Sequence, residues 1–182
     1  MKNYYRNLKV LALAALALSL QVQAARAQVL KAQADLYNPK GDLVGRVVFT
    51  EDPAERKGVK VSVNIVDLTP GEHALHIHEK AECISPDFSS AGGHFNPYGA
   101  KHGFLNPEGP HAGDLPNIRV GSNGTAVKEF FTKRVTLAPG ARNSLFHKEG
   151  TSVVIHLKPD DYITDPAGKG GSRIACGVIK RK

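Results

Sequence analysis

Three histidines fall within the six residues His73 to His78 of the stretch "GEHALHIHEKAEC", and one of only two cysteines closes it. In an extended strand, side chains two apart share a face, so His76 and His78 point the same way with roughly 6–7 Å between their backbones. That separation suits two ligands to one metal. Leu75 and Ile77 then face a core, and His73, with their parity, reads as a buried structural histidine. Further on, "GGHFNP" supplies His94, "AKHG" His102, and "PHAGD" both His111 and Asp114. Three imidazoles and one carboxylate make a tetrahedral set suited to zinc. "VVIHLKPDD" places His156 in a strand. Six of the eight histidines lie in these settings, and imidazole-rich sets favour copper and zinc over magnesium or calcium.

Two other chemistries are excluded. "HEKAE" begins like the zinc-protease motif H-E-x-x-H, but Glu82 stands where the second histidine belongs, and the preceding strand and Pro86 deny the helix that motif needs. "GKGGS" lacks the glycine spacing and the Lys-Ser/Thr step of a phosphate-binding loop.

These residues need a scaffold, and its signals are those of β-structure. "GVKVSVNIVDL" alternates Val59, Val61, Val63 and Ile65 with Lys60, Ser62 and Asn64, a period-2 strand. Further strands are expected at 29–37, 43–50, 73–78 and 151–157. "SNGT" between "NIRV" and "TAVKEFF" signals a hairpin, and its Asn123-Gly-Thr125 sequon reads simply as that turn. No sustained helical period is present, so an all-β sandwich or barrel follows. Residues 79–116 carry no strand pattern and are too long for an idle connection; such a loop is usually functional.

The chain has 182 residues, enough for one domain with a sizeable core. Its first 27 residues read as a secretory leader: basic "MKNYYRNLK", apolar "VLALAALALSL", then small residues allowing cleavage after Ala24 or Ala27. The apolar run is shorter than the roughly 20 residues of a membrane span, leaving a mature chain of residues 28–182 without a membrane anchor. Lys2, Arg6, Lys9 and Arg26, with no acid among the first 27 residues, contribute +4 to the formal net charge of +7, so the mature chain carries +3. Without a basic cluster interleaved with aromatics, nucleic-acid binding is not expected. In an oxidising compartment Cys83 and Cys176 are expected to pair; two buried thiols or a shared metal are the alternatives.

At these residues the chain resembles the copper/zinc superoxide dismutases. "GEHALHIHE" fits the family pattern G-x-H-x-x-H-x-H-E, "GGHFNPYGAKHGFLNPEGPHAGDLPN" the zinc loop, and "GGSRIACGVI" the C-terminal signature. The resemblance implies a Greek-key β-sandwich or flattened barrel of about eight antiparallel strands with long metal-binding loops. It implies copper held by His76, His78, His94 and His156, and zinc held by His94, His102, His111 and Asp114. Asp160 would join a copper-ligand imidazole, His76, to a zinc-ligand imidazole, His102. Arg173 would draw in and dock superoxide, His94 would bridge the metals and relay a proton, and Cys83 and Cys176 would form the family disulfide. The implied reaction is dismutation of superoxide to oxygen and hydrogen peroxide by alternating copper reduction and oxidation. Ala74, the short step from His78 to Cys83, and "DDYITDPAGKGGSR" depart from the eukaryotic pattern. With the leader, they match the bacterial exported class, periplasmic or extracellular. Lys80, Lys101 and Lys169 are the candidates for guiding the anion, His147 has no assigned role, and a homodimer is compatible with the family.

Overall fold

The computed structural model describes residues 28–182; the expected leader lies outside them. Ten strands follow in chain order: β1 (Leu30–Tyr37), β2 (Leu43–Glu51), β3 (Val59–Ile65), β4 (Gly71–His73), β5 (Leu75–His78), β6 (Ile118–Val120), β7 (Ala126–Thr132), β8 (Ser152–His156), β9 (Arg173–Val178) and β10 (Lys180–Arg181). A single 3₁₀ turn, Ser89–Ala91, is the helical content among the described residues. The large sheet runs β5-β8-β9-β1-β2-β3-β7, with β10 pairing β1, and a small sheet joins β4 to β6. Every ladder is antiparallel. β4 runs into β5 at one edge of the large sheet and β6 turns into β7 at the other. The small sheet therefore spans the gap and the whole curls into a flattened barrel.

Alternation decides which side is inside. Val59, Val61, Val63 and Ile65 of β3 are buried against Ala32, Ala34 and Leu36 of β1 and Val47 and Phe49 of β2. Leu75 and Ile77 complete that core from β5. Burying each such branched side chain contributes about 1.5–3 kcal/mol, which anchors β5 while its other face is left for the histidines.

Two expectations about strands are corrected. The single strand expected at 73–78 is broken at Ala74, whose N–H donates to the Lys158 carbonyl while its own carbonyl accepts from His156. Those bonds mark where the chain leaves the small sheet for the large one. The Asn-Gly turn forms, closed by Gly121 N–H donating to the Thr125 carbonyl at 2.8 Å, with Gly124 at φ 77°. The flanking strands do not form a ladder with each other: β6 pairs with β4 and β7 with β3. β9 carried no periodic signal strong enough to be expected, because Gly177 and Cys176 interrupt its apolar alternation.

A Cys83–Cys176 disulfide ties the start of the long loop to β9 across 93 residues. Closing a loop of that length constrains the unfolded chain by roughly 4–5 kcal/mol in the chain-entropy description. Replacing both cysteines by serine should lower the unfolding free energy by an amount approaching that value. Urea denaturation of the metal-free chain measures it; a midpoint matching the parent would show that the staple contributes nothing.

Candidate metal centre

The site is assembled on the outward face and free edge of β5. One edge of β5 pairs with β8, aligning His76 with Val154 and His78 with Ser152. The other edge is taken by the long loop: Ile77 N–H donates to Gly113, Phe95 N–H to Ile77, Gly113 N–H to Phe95 and Glu79 N–H to Gly93, at 2.8 to 3.0 Å. These bonds satisfy backbone groups that burial would otherwise penalise. They also carry His94 and Asp114 alongside His78 and His76. A loop without a strand pattern is thus held by pairing with a strand edge.

His76, His78, His94 and His156 are all buried and bring one ring nitrogen each into a common space, within 4.8 Å of one another. The converging atoms are His76 Nδ1 and the Nε2 atoms of His78, His94 and His156, and none has a hydrogen-bond partner. The opposite nitrogens show why. His78 Nδ1 donates to the Gly92 carbonyl and His156 Nδ1 to the Gly171 carbonyl, both at 3.0 Å, while His76 Nε2 lies 2.9 Å from Asp160 Oδ2. A carbonyl only accepts, so the proton sits on the bonded nitrogen and the inward one keeps a bare lone pair. Leaving four such atoms buried and unpaired would cost about 1–3 kcal/mol each. A Lewis acid between them satisfies all four, so these residues fit a bound copper ion.

A second cluster shares His94. Asp114 Oδ1 lies 2.9 Å from His94 Nδ1, 3.1 Å from His102 Nδ1 and 3.3 Å from His111 Nδ1. The His94 and His111 Nδ1 atoms are 3.4 Å apart. Ligands about 2.0–2.1 Å from zinc in a tetrahedron stand about 3.3 Å from one another, so the set has the size of a zinc tetrahedron. Asp114 Oδ2 is occupied by the backbone N–H groups of Gly103 and His111, both at 2.9 Å, which aims Oδ1 at the cluster.

Asp160 spans the two clusters, Oδ2 on His76 Nε2 and Oδ1 on His102 Nε2, both at 2.9 Å. Gly168 covers it with φ +61°, and a Cβ there would strike the Asp160 carboxylate and come within 2.6 Å of His102 Nε2. The electrostatics agree with the roles of the rings. Burial lowers the pKa of His76 to about 3 and of His156 to about 4, and lowers His78 and His94 as well, keeping them neutral. At His102 burial also pulls downward, but hydrogen bonds and charges from Asp114 and Asp160 outweigh it and raise the ring to about 9. Burial works to raise both carboxyls, and the bonded histidines still hold them below the usual carboxylate range.

Arg173 lines the same cleft of about 480 Å³ as His78, His94, His111 and His156. Its guanidinium donates to the Phe88 carbonyl at 2.6 Å and the Gly92 carbonyl at 2.7 Å. Burial lowers its pKa against the nearby Asp87, and arginine stays protonated regardless. The clustered histidines, Asp114, Asp160 and Arg173 expected from the sequence therefore meet here. His73 lies apart, as expected for a structural histidine, its ring nitrogens 2.9 and 2.8 Å from the carbonyls of His156 and Thr69. His147 stacks on Phe95 at 5.1 Å. Lys101 and Lys169 face Asp165 and Asp161 at 3.5 and 3.6 Å, and Lys80 is exposed; none of the three lines the cleft. Gly168 and Asn117 were missed. Nothing in "AGKGG" or "LPN" marks contact with a residue tens of positions away.

Known proteins bear out the pattern. The copper/zinc superoxide dismutase family matches residues 43–179. A copper-zinc superoxide dismutase of Aquifex aeolicus is 51% identical over 88% of this chain and 93% of its own length. One from Caulobacter vibrioides is 44% identical over 77% and 80%. Among solved structures, a superoxide dismutase-like protein of Bacillus subtilis superposes with TM-score 0.76 at 39% identity, covering 80% of this chain and 96% of that one. The Brucella abortus copper/zinc enzyme gives 0.65 at 33%, covering 82% and 99%.

Gly168→Ala tests the cover over Asp160. The added methyl must displace the carboxylate, so zinc affinity of the metal-free chain should fall about tenfold, as for lost outer-shell partners. Competition titration against a chromogenic chelator reads this, and unchanged affinity would show the cover to be dispensable.

Proposed function

The chain belongs to the copper/zinc superoxide dismutase family, and from that membership we propose that its two histidine clusters bind copper and zinc and carry out superoxide dismutation. Two superoxide anions and two protons give one oxygen and one hydrogen peroxide. The observation that carries the reading is the set of four partnerless buried nitrogens, three of whose rings, His78, His94 and His156, line a cleft shared with Arg173.

Copper, when bound, supplies one-electron redox chemistry, accepting an electron from one superoxide and giving it to a second. The remaining work falls to the chain. His76, His78, His94 and His156 offer neutral imidazoles to copper. His94, His102, His111 and Asp114 hold zinc, which fixes the loop and the His94 ring. His94 faces both clusters, and its Nε2 is the atom at which a proton waits between half-reactions before passing to the departing peroxide. Arg173 presents a fixed positive charge in a narrow cleft, where it attracts an anion in a salt-dependent way and holds it with charge-assisted hydrogen bonds. Residues 1–27 serve as an export leader, which delivers the mature chain to an oxidising compartment where the disulfide persists.

His156→Ala should lower bound copper while zinc content holds, and abolish superoxide decay. Metal analysis with a superoxide assay checks both; full activity in the variant would reject the ligand assignment, and zinc alone in the parent would reject the enzyme reading. Arg173→Ala should retain both metals and lose about tenfold or more in rate, with a flatter dependence on ionic strength. An unchanged rate and salt slope would remove the arginine from anion capture.

A further inference from the structure

Asp160 serves both clusters only if its carboxylate is aimed at two rings at once, and the residue that aims its backbone lies 43 positions earlier in the chain. Asn117 is buried, 6% exposed, three residues after Asp114 in "GDLPN". Its carboxamide closes on Asp160 from both sides. Asp160 N–H donates to Asn117 Oδ1 at 2.9 Å, and Asn117 Nδ2 donates to the Asp160 carbonyl at 3.0 Å. One planar side chain thereby occupies both backbone groups of a single residue and holds the direction in which its side chain leaves.

The clamp is itself held. Asn117 N–H donates to the Tyr162 hydroxyl at 2.7 Å, and Tyr162 N–H donates to Asp160 Oδ1 at 2.7 Å. Lys128 Nζ of β7 donates to the Asn117 carbonyl. The segment carrying the zinc-set carboxylate of Asp114 is thus joined to the segment carrying the inter-cluster carboxylate, and both are tied to the barrel wall.

We propose that Asn117 is a positioning residue for metal binding, acting through Asp160 and supported by Tyr162, so that losing its carboxamide loosens the metal sites only because Asp160 loses its aim. This rests on the assignment of the clusters as metal sites. It differs from ordinary packing in one measurable respect: the effect has to disappear once the Asp160 carboxylate is gone.

The test is a double-mutant cycle read by zinc titration of the metal-free chain, independent of activity. Asp160→Asn alone should weaken zinc binding about 10- to 100-fold, in the range for outer-shell carboxylates. Asn117→Ala alone should weaken it about tenfold, and less than about twofold further in the Asp160→Asn background. Tyr162→Phe, at a half-buried loop residue, should show the same loss at about threefold and the same disappearance, and it carries the test if Asn117→Ala does not fold. Losses that multiply across the two positions, or unchanged affinity in folded Asn117→Ala or in Tyr162→Phe, overturn the proposal. Unchanged affinity in Asp160→Asn overturns it as well, whereas a parent chain that binds no zinc overturns the metal-site assignment beneath it.

Discussion

A buried imidazole has two nitrogens, and a metal can use only one of them. The rest of the site follows from that constraint. For each ring facing the first cluster, something must take the other nitrogen, fix the tautomer and stop the ring from turning. Here the takers are the Gly92 and Gly171 carbonyls, Asp160, and for His94 the second cluster itself. None of these acceptors lies in the strands that carry the histidines. The architecture therefore needs two long excursions, 79–116 and 157–172, folded back over the strands that carry the histidines. Disorder in 79–116 would cost the site both orientation and side chains, since that loop also carries His94, His102, His111 and Asp114.

Charge is arranged with the same economy. The first cluster contains neutral rings only, and burial keeps them so. The two carboxylates sit at the second cluster and between the clusters, where they raise His102. A proton on His102 partly neutralises that pair. The division is physical: the first cluster is built from uncharged donors, and the second carries the negative charge.

Legibility in the sequence tracked how local each cause was. The face shared by His76 and His78 and the strand Val59–Ile65 could be read from period-2 alternation alone, because parity is a property of adjacent residues. The histidine-rich loop announced itself by composition. The break at Ala74 could not be read, since it depends on Lys158 and His156 arriving beside it. The Asn-Gly turn was legible as a turn, but which strands its arms join is decided by β3, which takes β7, and by β4, which takes β6. Arg173, Asp160 and the copper role of His156 came from family resemblance, because no spacing rule connects them to His76. Gly168 and Asn117 lay beyond both routes; their importance is a matter of what sits within a few ångströms in space.

The single carbonyl of Gly92 shows how far these roles are shared. It accepts from His78 Nδ1 at 3.0 Å and from Arg173 Nη2 at 2.7 Å. One peptide thus orients the His78 ring and seats the guanidinium in the same cleft. That peptide is positioned by Glu79, whose Oε1 accepts from Gly93 N–H at 3.0 Å. It is also tethered on both sides, through His78 on β5 and through the disulfide from Cys83 to Cys176 on β9. A displacement of the loop therefore cannot move the arginine and leave the imidazole in place. The Arg173 guanidinium and the His78 ring are kept in register by a shared backbone atom.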